Sequence, residues 1–514
     1  MALLVECHVM GMDPLVLTGG PLRPEEVCAV ARDRRRVELG PDAVQLLASA
    51  RAVVDAAADG SDPIYGLNTG FGSLSRHRIE PHQTADIQCH LLRSHAAGVG
   101  PDLDTEIVRG MLLLLAASLS RGHSGVRLEV VQQILHLLNH NLTPRVPCRG
   151  SVGASGDLAP LAHAALVLIG EGEVLGEDGV RVEGSSALES VGLRPIELQA
   201  KEGLALINGT HLMASILSLL CVDAASLMEA AIQAGAMSLD AAKGSAGSFD
   251  ARIHQARGQG GQVEVARRLT DLLKGSEILE SHIEDDPRVQ DPYCLRCMPQ
   301  VMGAAMDALA SVRTVVTAEL GAVTDNPLIF ADDDAILSGG NFHGMPLAIA
   351  ADHAAIALCH IAGIAERRIF WLLSGRDTEN PIPLYLSSDP GLHSGLMIAQ
   401  YTAASLVNEM QGLSHPSSVG NVPTSAGIED YNSMGATAAR QARTSLELCR
   451  QVVSIELLVA AEGLEHQRPL RSSDAIERIH DRIRAVTAPL KADRPPSPDI
   501  EKIEALLASS ALSG

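Results

Sequence analysis

The sequence predicts a mainly α protein: a long central helix bundle with a smaller mixed part at its N-terminal end. Three observations carry this. The chain is 46% hydrophobic but only 2% aromatic, so its core is filled by Ala, Leu, Val, Ile and Met, which favour close-packed helices. Residues 210–243, 298–320, 346–373, 396–412 and 431–465 are long apolar-rich runs, several beyond the usual helix length of about a dozen residues. Glycine-rich interruptions cluster in the first third of the chain, while the remainder reads as helix.

The elements follow in order. Residues 41–58, from Pro41 to Ala58, carry Ala and Leu at helical spacing, and helices follow over 84–92 and 104–121. Two glycine-rich loops flank those two segments, Tyr65-Gly66-Leu67-Asn68-Thr69-Gly70-Phe71-Gly72 and Arg149-Gly150-Ser151-Val152-Gly153-Ala154-Ser155-Gly156-Asp157. Loops held by rigid elements are where chemistry concentrates. Residues 174–195, rich in Gly, Val and Glu, read as a small hairpin excursion. These shifts divide the chain at about residue 200: an N-terminal domain over 1–200 carrying both loops, and a long-helix domain over 201–514.

A net charge of −22 argues against a nucleic-acid partner, since phosphate binding needs clustered Lys and Arg. The start of the chain, broken by Glu6, His8 and Asp13, lacks the pattern of a signal peptide. Each long apolar run carries charges, such as Asp223, Glu229, Glu366 and Arg367, so none is expected to span a membrane. The nine cysteines are scattered. Cys294 and Cys297, spaced as Cys-x-x-Cys without a second pair, are weak grounds for a metal site. The expectation is a soluble cytoplasmic protein with reduced, mostly buried thiols and no metal.

The Gly153-Ala154-Ser155-Gly156-Asp157 segment reads two ways. Locally it is a tight turn before a helix, with Ser155 or Asp157 as N-cap and Pro160 in the first turn. Chemically, Gly156 offers an unhindered backbone nitrogen that can reach the Ala154 carbonyl carbon if the loop is compressed, as flanking glycines permit. Ring closure and dehydration of Ser155 would then yield an exocyclic methylene, an electrophile that no ordinary side chain provides.

Residues 150–163, Gly-Ser-Val-Gly-Ala-Ser-Gly-Asp-Leu-Ala-Pro-Leu-Ala-His, resemble the signature of the histidine, phenylalanine and tyrosine ammonia-lyases. The resemblance continues through Tyr65–Gly72, Lys201–Thr210, Gln290–Tyr293, Asp325–Pro327 and Gly340–Gly344, and runs from about residue 20 to about 470. It implies a fumarase/aspartase-like helix bundle assembled as a homotetramer with shared active sites. It also implies a self-formed methylidene-imidazolone (MIO) built from Ala154, Ser155 and Gly156, with no external cofactor. On the same resemblance, Tyr65 is the general base for the β-proton, which requires its phenol pKa to be lowered. Arg296 suits bidentate binding of the substrate α-carboxylate. Asn208 would hold the imidazolone oxygen, Tyr293 and Phe342 would line the site, and Gln290 would contact substrate.

Two residues bear on the substrate. Ser94-His95 resembles the selectivity segment of the histidine-specific members, and His95 can pair with an imidazole nitrogen or a phenol oxygen. Glu429 stands where histidine-specific members carry Glu and the tyrosine- and phenylalanine-specific members usually carry Gln. A carboxylate accepts an imidazole N–H and suits a charged ring. The implied reaction is deamination of L-histidine to trans-urocanate. The alternatives are a tyrosine lyase or 2,3-aminomutase on the same scaffold, or a catalytically silent oligomer. Tyr431-Asn432 and His211, Met298 and Met345 depart from the usual pattern. The last three leave room for a related substrate or for simple repacking.

Overall fold

A computed structural model describes residues 13–509 except 59–62, 65, 71, 73–76, 81–82, 177–178, 285, 287 and 379. It is mainly α, as expected. The chain forms two compact units, both discontinuous in sequence. The first comprises residues 1–219, 313–351 and 416–440, and the second 220–312, 352–415 and 441–514.

In the first unit, Pro41–Ala58 is a helix with the predicted bounds, opened by a proline where no amide hydrogen is needed. Thr84–His95 and Thr105–Leu119 follow. From Ile107 onward every residue of Thr105–Leu119 is buried, so this helix is enclosed around its whole circumference and forms the centre of the unit. Four small sheets stitch the periphery. The expected hairpin is present as Glu173–Leu175 paired antiparallel with Arg181–Glu183, after which the chain turns into a short helix, Gly184–Ser190. Strand Pro147–Arg149, paired antiparallel with Val99–Asp102, leads the chain into the second glycine-rich loop.

In the second unit, an ion pair is buried among alanine- and leucine-rich helices. The Arg368 guanidinium donates to both Glu456 oxygens, from Nε at 2.5 Å and Nη2 at 2.9 Å, and Ser238 Oγ adds a third donor at 2.8 Å. Pairing and hydrogen bonding of the two charges are what make their burial tolerable. Gly261 and Gly303 bring helices Gly260–Leu273 and Met298–Glu319 into backbone contact.

His211–Ala241, Met298–Glu319 and Met345–Leu373 are long and apolar enough by composition to cross a membrane, so their scattered charges do not settle the question. Burial is more informative. The most apolar stretches of the first and third are 72% and 67% buried within the protein, as core helices are. Of the eight described cysteines, Cys28, Cys221 and Cys449 are buried and the other five are half-buried, so the expectation of mostly buried thiols is corrected.

Candidate active site

The second glycine-rich loop is built by backbone constraint. Gly153 and Gly156 sit at φ +68° and +71°, left-handed conformations that favour glycine. Space demands glycine as well: a Cβ on Gly153 would lie 2.1 Å from Ser433 Oγ, and one on Gly156 2.1 Å from the Gly209 carbonyl oxygen. The loop's polar groups are then claimed one by one. The Gly153 carbonyl accepts from Ser433 Oγ (2.9 Å) and the Gly344 amide (3.2 Å). The Ser155 carbonyl accepts from Asn208 Nδ2 (3.1 Å), and the Asp157 amide donates to the Gly209 carbonyl (2.7 Å). Gly156 and Gly209 thereby form a parallel β-bridge.

Asp157 is the N-cap residue of helix Leu158–Leu168 by position, but its side chain does not cap that helix. Its carboxylate instead accepts the Leu212 and Met213 amides, at 3.0 and 3.1 Å, and the Ser151 hydroxyl at 2.8 Å. Leu212 and Met213 lie in the first turn of His211–Ala241, so Asp157 caps a helix that begins 54 residues later. Burial pushes its carboxyl up to about 6, against these three hydrogen bonds. The local-cap reading is corrected: neither the Ser155 nor the Asp157 side chain accepts an amide of the following helix.

Beside the loop lies a cavity of about 490 Å³ lined by Ser155, Asn208, Phe342, His343, Glu429 and Tyr431 among others. The Ser155 hydroxyl faces Glu429 Oε1 at 3.4 Å, while Glu429 Oε2 accepts from Thr424 Oγ1 at 2.9 Å. The His343 ring stacks on that of Tyr431, with centroids 6.3 Å apart, and its Nε2 donates to the Tyr431 carbonyl at 3.0 Å. An adjoining space of about 390 Å³ shares Ser155, Asn208 and Glu429 and adds His95. His95 ends helix Thr84–His95, with Nδ1 2.9 Å from the Leu91 carbonyl of its own last turn. Burial holds the His95 ring below the usual histidine range. A serine, a carboxylate and a neutral imidazole thus converge on a space of amino-acid size.

The aromatic amino acid lyase family profile matches residues 22–485. The chain belongs to that family. It is similar to histidine ammonia-lyase of Myxococcus xanthus, 45% identical over 503 residues that span 98% of both chains. Among solved structures it is similar to histidine ammonia-lyase from Trypanosoma cruzi, with TM-score 0.90 and 38% identity over 97% of this chain and 94% of that one. It is also similar to tyrosine aminomutase from Streptomyces globisporus, with TM-score 0.92 and 34% identity over 98% of each chain.

As an aromatic amino acid lyase the chain is a carbon–nitrogen lyase. In the first unit Ala154, Ser155, Asn208, Phe342 and Glu429 line the larger space and His95 the adjoining one, with Gly156 next to Ser155 in the loop. Tyr65 lies outside the described residues. Gln290, Tyr293 and Arg296 belong to the second unit, where Gln290 and Tyr293 are exposed and the Arg296 guanidinium sits 4.6 Å over the Tyr293 ring. Of the departures from pattern, Met298 is buried in the second unit with its sulfur against Gly235, a core contact. His211 is fully buried with neither ring nitrogen paired, and burial pushes it down to about 3. Met345 opens helix Met345–Leu373. Asp157, Ser433, His343 and Tyr431 were missed as site residues. Asp157 stands inside the signature and His343 inside the Gly340–Gly344 block, so the signal existed. Nothing local marks Ser433.

Proposed function

We propose that this lyase deaminates L-histidine non-oxidatively to trans-urocanate and ammonia. The observation that carries the reading is Glu429 at the Ser155 hydroxyl inside a loop clamped by Asn208 and Gly209. The full-length likeness to histidine ammonia-lyases supports it. The tripeptide fits an MIO group. Gly156 carries no Cβ and leaves its nitrogen unhindered, Asn208 Nδ2 already donates to the Ser155 carbonyl, and Asn208 Oδ1 is buried without a partner. MIO supplies an electrophilic methylene that turns the substrate amino group into a leaving group.

The chain's own residues do the rest. Asn208 orients the modified loop, and Glu429 and His95 receive the ring. Tyr65 removes the β-proton and Arg296 binds the α-carboxylate, with Gln290, Tyr293 and Phe342 around the substrate. The exposure of Tyr293, at 71%, suits a homotetramer in which neighbouring subunits complete each site, and we place the enzyme in the cytoplasm. Likeness to tyrosine aminomutase at equal coverage favours a second reading, in which tyrosine is isomerised. β-Amino acid product from tyrosine would decide for it.

The test is to incubate the purified protein separately with L-histidine, L-tyrosine and L-phenylalanine. Ultraviolet absorbance of the unsaturated acid and released ammonium are the readouts. Urocanate from histidine alone is expected, reduced at least ~1000-fold in Ser155→Ala, in line with loss of a covalent catalyst. Silence on histidine would overturn the reading.

A further inference from the structure

The cavity offers an incoming ring hydrogen-bond acceptors. His95 Nδ1 lies 2.9 Å from the Leu91 carbonyl, and a carbonyl has no hydrogen to give, so Nδ1 is the protonated nitrogen of this neutral ring. Nε2, across the ring from that bond, is left as a bare lone pair. Glu429 Oε2 is taken up by Thr424, while Oε1 has, among the described residues, only the Ser155 hydroxyl as donor. That hydroxyl is the group lost when the loop matures, so in the mature enzyme Oε1 also waits for a donor. Asn208 gives an amide hydrogen to the Ser155 carbonyl, and its buried Oδ1 is unpaired, a further acceptor. The Ser94 hydroxyl donates to the Leu91 carbonyl at 3.1 Å, and its oxygen lies 3.0 Å from the same Nδ1. Among the described residues along the space that holds His95, the remaining ionisable group is His90, exposed on the same helix.

A neutral imidazole presents one N–H and one lone pair, and a phenol presents one O–H. Either would set a lone pair against one of these acceptors or leave it unpaired, and buried unpaired polar groups are costly. An imidazolium presents two N–H donors. We infer that the site binds histidine with its ring in the doubly protonated imidazolium form, one N–H on His95 Nε2 and the other on Glu429. A cationic ring also withdraws electrons from the adjacent β-carbon and eases loss of its proton. This inference rests on the histidine reading and specifies the charge state that reading leaves open.

The test uses the wild-type enzyme and 3-(imidazol-4-yl)propanoate, which lacks the amino group whose own titration would confuse the count. Calorimetry at about pH 8, where the free ring is neutral, is run in buffers of different ionisation enthalpy. Binding is expected to take up about one proton per site, and Glu429→Gln is expected to abolish the uptake and weaken binding about tenfold or more. With ring-labelled ligand, both bound ¹⁵N resonances should be of the N–H type, which separates ring protonation from protonation of Glu429. Binding without proton uptake, or with one unprotonated ring nitrogen, overturns the inference while urocanate formation leaves the histidine reading standing. Absence of urocanate from histidine overturns both.

Discussion

Two of the seams at which the chain lays glycine backbone against glycine backbone fall in different units. In the second unit, a Cβ on Gly261 would lie 2.2 Å from the Gly303 carbonyl oxygen, and one on Gly303 2.3 Å from the Gln262 amide nitrogen. Both residues sit in regular helices at ordinary φ, so glycine is there for space alone. In the first unit, Gly156 meets Gly209 just as closely, but at φ +71° and +142°. There glycine answers two demands, close approach and a backbone conformation that other residues adopt only under strain. A helix contact can yield by sliding. The loop seam is fixed from both sides by hydrogen bonds and cannot slide without releasing them.

That difference can be tested by placing the same methyl group at each seam. Gly156→Ala should leave Ser155 unmodified and cut turnover by at least ~100-fold, because both space and φ are violated. The two-water mass deficit of the Ser155 peptide, read beside kcat, checks this. Gly303→Ala should lower stability by ~1–3 kcal/mol, as overpacking does, with the mass deficit and kcat intact. Retained modification in the first variant, or lost modification in the second, would erase the distinction between the seams.

The next largest effect belongs to Asp157. Asp157→Ala strands the buried Leu212 and Met213 amides, and should cost ~2–4 kcal/mol in denaturant unfolding. It should also slow appearance of the mass deficit, since the Gly156–Gly209 seam abuts that helix start. A variant as stable as the wild type would show that the cap is dispensable.

His211 should give the smallest effect. Its folded pKa of about 3 lies below the ordinary 6.5. Below pH 6.5 the unfolded chain takes up a proton that the folded one refuses, so stability present above 6.5 falls as the pH drops toward 3. The slope is about 1.4 kcal/mol per pH unit, or about 2 kcal/mol by pH 5. Subtracting the pH dependence of His211→Gln isolates that term. Identical profiles would mean that the folded protein protonates His211 normally.

Much of this architecture was legible in local pattern. Pro41–Ala58 is bounded by a helix-opening proline and filled by strong helix formers, and nothing from elsewhere overrides them. The last long helix was predicted from Tyr431 but starts at Gly435. Met434 takes φ +56°, and Ser433 turns its hydroxyl to the Gly153 carbonyl, a contact 280 residues away in sequence. The site divides in the same way. Ala154, Ser155 and Gly156 announce themselves through flanking glycines, and Glu429 through its block. Asp157 looked like an ordinary cap because its true partners, the Leu212 and Met213 amides, are separated from it by the whole hairpin region. Short-range chemistry can be read in a sequence, whereas the choice among distant hydrogen-bond partners is made by the fold.

The cap that Asp157 places on the distant helix has a consequence for the protein's history. The loop is held shut only when residues 150–157, 208–213, 344 and 433 have all reached their final positions. On the proposed function, the dehydrated tripeptide is then a permanent stamp applied to chains that have completed this part of the fold. A chain that unfolds afterwards keeps the stamp, and one that misfolded from the start never acquires it. The mass of a single peptide, taken from soluble protein, aggregate or proteolytic debris alike, would sort molecules that failed to fold from molecules that folded and were later lost.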